Sequence, residues 1–408
     1  MDDSVVRASR AIADAATRFR DADFPPRVRV TRSLRERTGY TEPVIDYALD
    51  TLFAELEAAA MCATIASELG SIDALEGFID RPNRPAVTFV PFERVTIVAS
   101  DTTIGVALFP LVFALLAGAH VRVKDRDDRL IGSFIETLAQ EWPELAARAN
   151  AEPWRGDDDA AAREHLGDAD VVVAFGSDAT LAAIRTRLAP HARFIGYGHR
   201  TSIGYVTRAA LADEAHARAA ARGAARDALL YDGEGCLSVH AVFVESDAVV
   251  TPQRFTTLLA DACDDIAIEF PARGESHDAD VAAYLRSVRF RAAQGDAIVI
   301  ANSRAPHVVV CESDPTVAPP LLRRVVACYA IASSDDALAF LRHHSIPLEG
   351  LAFSSDAVAT PRADLDAFAR ASGAARIATL GSLQSPPLGG EHGGVGRILP
   401  FVRAIYRS

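Results

Sequence analysis

Apolar residues recur every three to four positions between Val44 and Leu69 (Ile45, Leu49, Leu52, Phe53, Leu56), the spacing that lines one face of a helix. Residues 1 to about 90 therefore read as helical and loop material, until Pro82, Pro85 and Pro91 break the period. From Arg94 the pattern alternates. Val95–Ala99 is a short β run, Gly105 to Gly118 a helix, and Val121-Arg122-Val123 another strand. Leu130 to Gln140 is amphipathic, Asp170–Phe175 is a buried strand, Asp178–Leu188 a helix and Arg193–Gly196 a strand. Strand and helix in succession are the mark of a parallel, doubly wound sheet.

Ala209–Arg226 reads as one long Ala/Arg helix, followed by the turn Tyr231-Asp232-Gly233-Glu234-Gly235-Cys236. A second αβ series then runs through Arg254–Cys263, Ala297–Ala301, His307–Cys311, Val325–Ile331, Ala337–His343 and Gly350–Ser354. The end, Leu380–Ser408, is rich in Gly and Pro and then apolar, a tail of the kind that reaches to another subunit. The apolar stretch Ile104–Val121 is interrupted by Pro110 and by glycines and runs straight into the alternating Val121-Arg122-Val123-Lys124. It reads as a buried helix leading into a strand, not a membrane span.

Composition narrows the possibilities. With 408 residues there is room for two or three domains, and half of the residues are apolar with few aromatics, which suits an α/β protein. A net charge of -13 argues against nucleic acid or an anionic membrane as partner. The five cysteines are odd in number and widely spaced, with no CxxC or Cys/His ligand spacing, so neither a disulfide framework nor a metal site is indicated. That cysteine usage points to a reducing cytoplasm, and Met1-Asp2-Asp3-Ser4, acidic with no apolar segment behind it, does not read as a signal peptide. Of the 42 basic residues all but Lys124 are arginine. The lone ammonium marks a place where a compact charge on a flexible stem matters, or a position left to chance.

Two stretches carry candidate chemistry. Cys236 sits in a glycine-bracketed turn, where an exposed thiol can meet backbone N–H groups that lower its pKa and hold an oxyanion. The alternative is a hairpin corner with a small residue. Phe175-Gly176-Ser177-Asp178 ends a strand at a glycine turn and opens a helix, which is either a phosphate-receiving turn or an ordinary N-cap. A G-x-G-x-x-G fingerprint and a P-loop are both absent.

Taken in order, the motifs Thr38-Gly39-Tyr40, Val121–Lys124, Val173–Asp178, Phe194–Arg200, Tyr231–His240, Gln384–Leu388, His392-Gly393-Gly394 and Arg397–Arg403 make the chain resemble a known family. It is similar over nearly its full length to the long-chain acyl-CoA reductases of the aldehyde dehydrogenase superfamily, the kind found with bacterial bioluminescence systems. The resemblance implies an aldehyde dehydrogenase-like α/β fold. It implies an N-terminal and cofactor domain over 1–205, a catalytic domain over 206–380, an oligomerisation tail over 381–408, and a homo-oligomer, dimer or tetramer. It implies that Cys236 accepts the acyl group of an acyl-CoA or acyl carrier protein thioester, and that NADPH, or else NADH, reduces it to the aldehyde. Lys124, with Arg126 beside it, falls where the family holds the adenosine ribose or its 2′-phosphate, and Phe175, Gly176 and Ser177 fall on its cofactor turn.

Departures from the superfamily pattern sharpen this reading. Aldehyde oxidisers carry a water-activating glutamate upstream of the cysteine, where this chain has Ile195-Gly196-Tyr197-Gly198. His199 and His240 are the nearest replacements, as catalytic or as structural residues. Asp101 stands where an oxyanion-donating asparagine is usual, so Thr102 or Thr103 takes over, the alignment slips, or the reaction is altered. Pro319-Pro320-Leu321-Leu322 replaces a Glu-x-Phe-Gly-Pro segment. Asp125, Asp127 and Asp128 oppose a 2′-phosphate that Arg126 favours. Two rival functions use the same cysteine or none: an acyltransferase or thioesterase without hydride chemistry, and a non-catalytic acyl-binding scaffold.

Overall fold

A computed structural model describes residues 4–100, 103–125, 129–154, 159–274, 279–301, 306–359 and 362–408. The chain forms two compact units, Met1–His199 with Pro387–Ser408, and Arg200–Pro386. The sequence placed the change of domain at residue 205 and the tail at 381; the compact units part at His199 and at Pro386.

In the first unit the helix expected over Val44–Leu69 is two, Glu42–Ala54 and Ala58–Leu69. Between them Leu56 turns into the core and Glu57 is extended. The prolines that break the helical period lie in or beside strands. β1 (Ile79–Arg81) pairs antiparallel with β2 (Arg84–Pro91), whose Pro85 and Pro91 sit near its ends, where a missing N–H is tolerated. The alternating region forms β3 (Arg94–Val98), β4 (His120–Lys124), β5 (Ala149–Glu152), β6 (Val171–Phe175) and β7 (Arg193–Tyr197). They make one parallel sheet in the order β5-β4-β3-β6-β7. The apolar stretch before β4 is the helix Leu108–Ala117, buried on nearly every side and stopped by Gly118 at φ 101°. Among the described residues no helix is long and apolar enough to cross a membrane.

The second unit holds β8 (Thr201–Val206), β9 (Val239–Glu245), β10 (Ala297–Ala301), β11 (Val308–Glu312), β12 (Val325–Ile331), β13 (Leu348–Phe353) and β14 (Arg376–Thr379). Their order is β10-β11-β12-β9-β8-β13-β14, parallel except for β10. The long helix expected over Ala209–Arg226 starts later and runs Glu214–Leu229, because Asp213 accepts the amide of His216 and caps it. Behind it Gly223 meets the chain at Leu380: a Cβ there would lie 2.5 Å from the Leu380 carbonyl oxygen.

The C-terminal segment closes on the first unit of its own chain. Glu68 accepts the amides of Ile398 at 3.0 Å and Leu399 at 3.1 Å, and β15 (Val402–Arg407) adds antiparallel to β2.

Gly223→Ala is expected to lower stability by about 1–3 kcal/mol through overpacking against backbone that cannot retreat. Gly274→Ala, where a Cβ meets nothing among the described residues, is expected to be neutral. Urea unfolding midpoints of the two variants check this.

Candidate active site

The helix Glu214–Leu229 leads into a turn of unusual backbone. Tyr231, Asp232 and Gly233 follow one another at φ 56°, 56° and 75°. Glycine takes this left-handed region freely, but a side chain costs about 1 kcal/mol or more there, so tertiary contacts must hold Tyr231 and Asp232 in place. Asp232 supplies them. Its carboxylate is buried and accepts from Arg324 Nε at 2.6 Å, Arg273 Nε at 2.8 Å and Arg323 Nη2 at 2.9 Å. Its carbonyl accepts the amide of Arg324 at 3.1 Å. Burial alone raises the pKa of this carboxyl, but the Arg324 charge and the hydrogen bonds of the three arginines outweigh it and hold it below the ordinary value. Two residues on, Glu234 pairs with Arg273 at 2.5 Å and Arg323 at 3.5 Å.

Cys236 follows, and three further contacts fix it. Ser238 closes the turn by donating its amide to Gly235 at 2.9 Å. Ser202 Oγ on β8 donates to the Cys236 carbonyl at 2.9 Å. Gln384 Nε2 donates to Ser238 Oγ at 3.0 Å and to the Asp227 carbonyl at 3.1 Å. The Asp227 carboxylate in turn accepts the amides of Gly381 at 2.6 Å and Leu383 at 3.1 Å, and burial against these donors pushes it up to about 7. The Gln384–Pro386 motif is thus a strap from the buried helix to the cysteine turn. Of the two bracketing glycines only Gly233 is demanded by its backbone; a Cβ on Gly235 would make ordinary contacts.

The amides of Cys236 and Leu237 do converge on the thiol, as the turn suggested, yet the thiol is not acidified. Burial and the nearby Glu349 charge outweigh the two amides and Arg200, and push it up to about 12. The sulfur rests as a thiol in a partly buried site, not as an exposed thiolate.

Glu349 has no counterpart among the residues that the sequence singled out. On β13, Leu348 faces Thr201 and Gly350 faces Ser202, which leaves Glu349 as the extra residue of a bulge. On β9, Val239 faces Ser202 and Ala241 faces Ile203, which leaves His240 as the extra residue of another. Bulges re-aim side chains, and these two flank β8 at the residue that bonds the cysteine carbonyl. Arg200 Nε lies 3.9 Å from Glu349. The His240 ring is buried and stands against the Gly233 turn, 3.6 Å from a Cβ built there. His199 is exposed, at the end of the first unit's N-terminal segment.

In the first unit the sheet order reverses between β3 and β6, the switch point at whose strand ends α/β sheets bind ligands. Lys124 ends β4 opposite Val98, and Ala174, one residue before the end of β6, faces Val98 from the other side. Lys124, Phe175, Gly176 and Ser177 therefore gather at one end of one sheet. The Lys124 ammonium lies 5.5 Å from the Trp154 ring centroid, a cation–π distance. Asp125 is buried and accepts the Gly132 amide at 3.0 Å, so its charge is spent on a helix N-terminus. Ser177 caps the helix Asp178–Arg185 by accepting the Thr180 amide at 3.2 Å, and Gly176 gives its amide to the Tyr197 carbonyl at 3.2 Å.

An aromatic layer completes this end. Phe175 stacks on Tyr197 at 4.8 Å and Tyr197 on His392 at 4.1 Å. The His392-Gly393-Gly394-Val395 hairpin lies flat on it, and a Cβ on Gly393 would come 3.0 Å from the Tyr197 ring. Burial and the Arg397 charge push His392 down to about 4, so a neutral imidazole stacks there. Arg126, Asp101 and Thr102, with Asp127 and Asp128, lie outside the described residues.

The family model described as Acyl-CoA reductase (LuxC) matches residues 4–404. The chain belongs to this family. As an acyl-CoA reductase it is an oxidoreductase that acts on acyl and aldehyde groups. No curated protein matches it. Among solved structures it is similar in fold to an NAD-dependent benzaldehyde dehydrogenase from Corynebacterium glutamicum, at 14% identity and a TM-score of 0.70, covering 99% of this chain and 86% of that one. The indole-3-acetaldehyde dehydrogenase AldA of P. syringae gives 14% identity and a TM-score of 0.71, covering 100% and 84%. A putative aldehyde dehydrogenase from Burkholderia cenocepacia gives 16% and 0.70, covering 98% and 84%. The aldehyde dehydrogenase fold and the family expected from the ordered motifs both hold.

Several contacts of this acyl-CoA reductase escaped the sequence. Asp232 with its arginines, the Gln384 strap, the aromatic layer and Glu349 join residues far apart in the chain. One local signal for Glu349 was available: a charged residue opening the apolar run Leu348–Phe353.

Asp232→Asn leaves three arginines around an uncharged group, and breaking a buried pair of this kind costs about 3–5 kcal/mol. Because the folded pKa of Asp232 lies below its unfolded value, its stabilisation is present above the unfolded pKa and is lost as the pH falls through the folded one. The gap between the urea midpoints of wild type and variant is expected to be narrower at pH 3 than at pH 7. With the thiol raised, iodoacetamide alkylation of Cys236 is expected to climb about tenfold per pH unit beyond pH 9, not to level off there; peptide mass spectrometry over a pH series measures it.

Proposed function

We propose that Cys236 is the nucleophile of an NADPH-dependent reduction of an acyl thioester to an aldehyde, through an S-acyl-cysteine intermediate. The observation that supports it best is the pair of amides, of Cys236 and Leu237, directed at the sulfur. When the sulfur adds to the thioester carbonyl, the same amides lie beside the oxygen that takes up negative charge. Collapse expels the thiol of CoA or of an acyl carrier protein and leaves the acyl group on Cys236. Thioester exchange between thiols is nearly isoenergetic, so the acyl group stays activated for reduction.

The strand-end cluster of the first unit fits a nicotinamide dinucleotide. Lys124 would hold the adenosine ribose or its 2′-phosphate, and the Phe175-Gly176-Ser177 turn lets a ligand approach close to backbone. Asp125, turned to a helix N-terminus, opposes a 2′-phosphate less than its sequence position suggested. The bound cofactor supplies hydride. Hydrolysis is the competing fate of the acyl group, and the segment where oxidising relatives in the superfamily carry a glutamate bears Tyr197, committed to the Phe175–His392 stack. That segment offers no carboxylate to activate water.

Incubation with an acyl-CoA series is expected to add the acyl mass to the wild type and nothing to Cys236→Ala; an undiminished adduct in that variant removes Cys236 from the mechanism. Acylation without NADPH or NADH oxidation would instead favour an acyltransferase or thioesterase. Lys124→Ala is expected to raise KM for NADPH by about tenfold, equivalent to roughly 1.4 kcal/mol of binding, with kcat little changed.

A further inference from the structure

The acyl acceptor poses a problem that its amides do not solve. With a pKa near 12, on the order of one Cys236 in 10⁵ is thiolate at neutral pH, too few for a nucleophile that must be ready when the thioester arrives. Some group must take the proton as the sulfur attacks.

We propose that Glu349 is the catalytic base of acyl transfer: it receives the Cys236 proton and returns it to the departing thiol. This rests on Cys236 as acyl acceptor. The geometry comes from the bulge on β13. Gly350, its next residue, packs so closely that a Cβ would lie 2.6 Å from Ser202 Oγ and 3.3 Å from Leu237 Cδ2, the groups that touch the cysteine on either side. Glu349 is thus the carboxylate of the strand that abuts the cysteine turn, and its charge is felt at the sulfur. It is buried, with Arg200 3.9 Å away, while Arg200 also donates to the Leu348 carbonyl at 3.3 Å and so grips the bulge itself.

The step balances. The proton passes from Sγ to a carboxylate oxygen, directly or through one water, while the sulfur electron pair forms the bond to the acyl carbon. The carbonyl pair moves onto oxygen, then returns and breaks the bond to the donor sulfur. That thiolate takes the proton back from Glu349 and leaves as CoA or carrier thiol. Nothing is oxidised or reduced in this half of the reaction, and the carboxylate is ready again.

A base and a merely repulsive charge differ in what their loss does. In Glu349→Gln the sulfur loses a negative neighbour, so iodoacetamide alkylation of Cys236 at pH 7.5 is expected to be as fast as in the wild type or faster. Acylation from acyl-CoA, read by rapid-quench intact mass, is expected to fall by about 10²–10⁴-fold, the worth of general base catalysis. Glu349→Asp, which keeps a carboxylate one methylene short, is expected to acylate at a rate between the two. Acylation of Glu349→Gln within a few-fold of wild type overturns the proposal, as does a parallel rise or a parallel fall of both reactions. Should Glu349→Gln not fold, Glu349→Asp decides: acylation at the full wild-type rate, or slowed only as much as alkylation, overturns the proposal. If wild type itself takes up no acyl group at Cys236, it is the reading of the nucleophile that fails, and the two failures are told apart by that control.

Discussion

A single buried carboxylate holds the cysteine turn together. Asp232 brings three arginines to one point, and each comes from a different part of the fold or faces a different side of the turn: Arg273 follows the helix Pro252–Glu269, while Arg323 and Arg324 precede β12. Desolvating such ions costs several kcal/mol each, and only close geometry with extra hydrogen bonds offsets it. Here it is met by distances of 2.6–2.9 Å and by Arg324, itself at φ 52°, donating its amide to Asp232 and its Nη2 to the Phe270 carbonyl. The reward is backbone that no local preference would choose: two non-glycine residues and a glycine in succession in the left-handed region, ending at Cys236.

The two units use their sheets differently. In the first, the candidate residues sit at the carboxyl ends of parallel strands beside a switch point, and the returning C-terminal segment lays His392 on Tyr197 there. In the second, the cysteine turn precedes β9, so the candidate residues lie at the amino ends of β8, β9 and β13. Strand regularity is given up at that end: the bulges at His240 and Glu349 turn two titratable side chains out of their alternation. A sheet with strict alternation would present either residue to one face or the other and to no particular point.

Electrostatics in the second unit ran against the local expectation. Amides at a turn lower a thiol pKa when the sulfur is open to water. Cys236 has the amides but is partly buried and feels the Glu349 charge, so desolvation and like charge win.

What the chain determines by itself is what short-range chemistry writes into spacing. The alternation from Arg94 onward, the capping Ser177, the helix-ending Gly39 and Gly118, and the isolated Lys124 and Cys236 are all local, and their order carried the family. Where long-range contact overrode local preference, the sequence misled: Leu56 drawn into the core splits one expected helix into two, and prolines that read as breakers flank strands because β15 returns from the other end of the chain to pair with β2. The clustering of Asp232 with its arginines, of Gln384 with Ser238, and of Glu349 with Cys236 was decided only in three dimensions. Burial and proximity of residues some tens to more than a hundred positions apart set those energies, and neither is a property of any window of sequence.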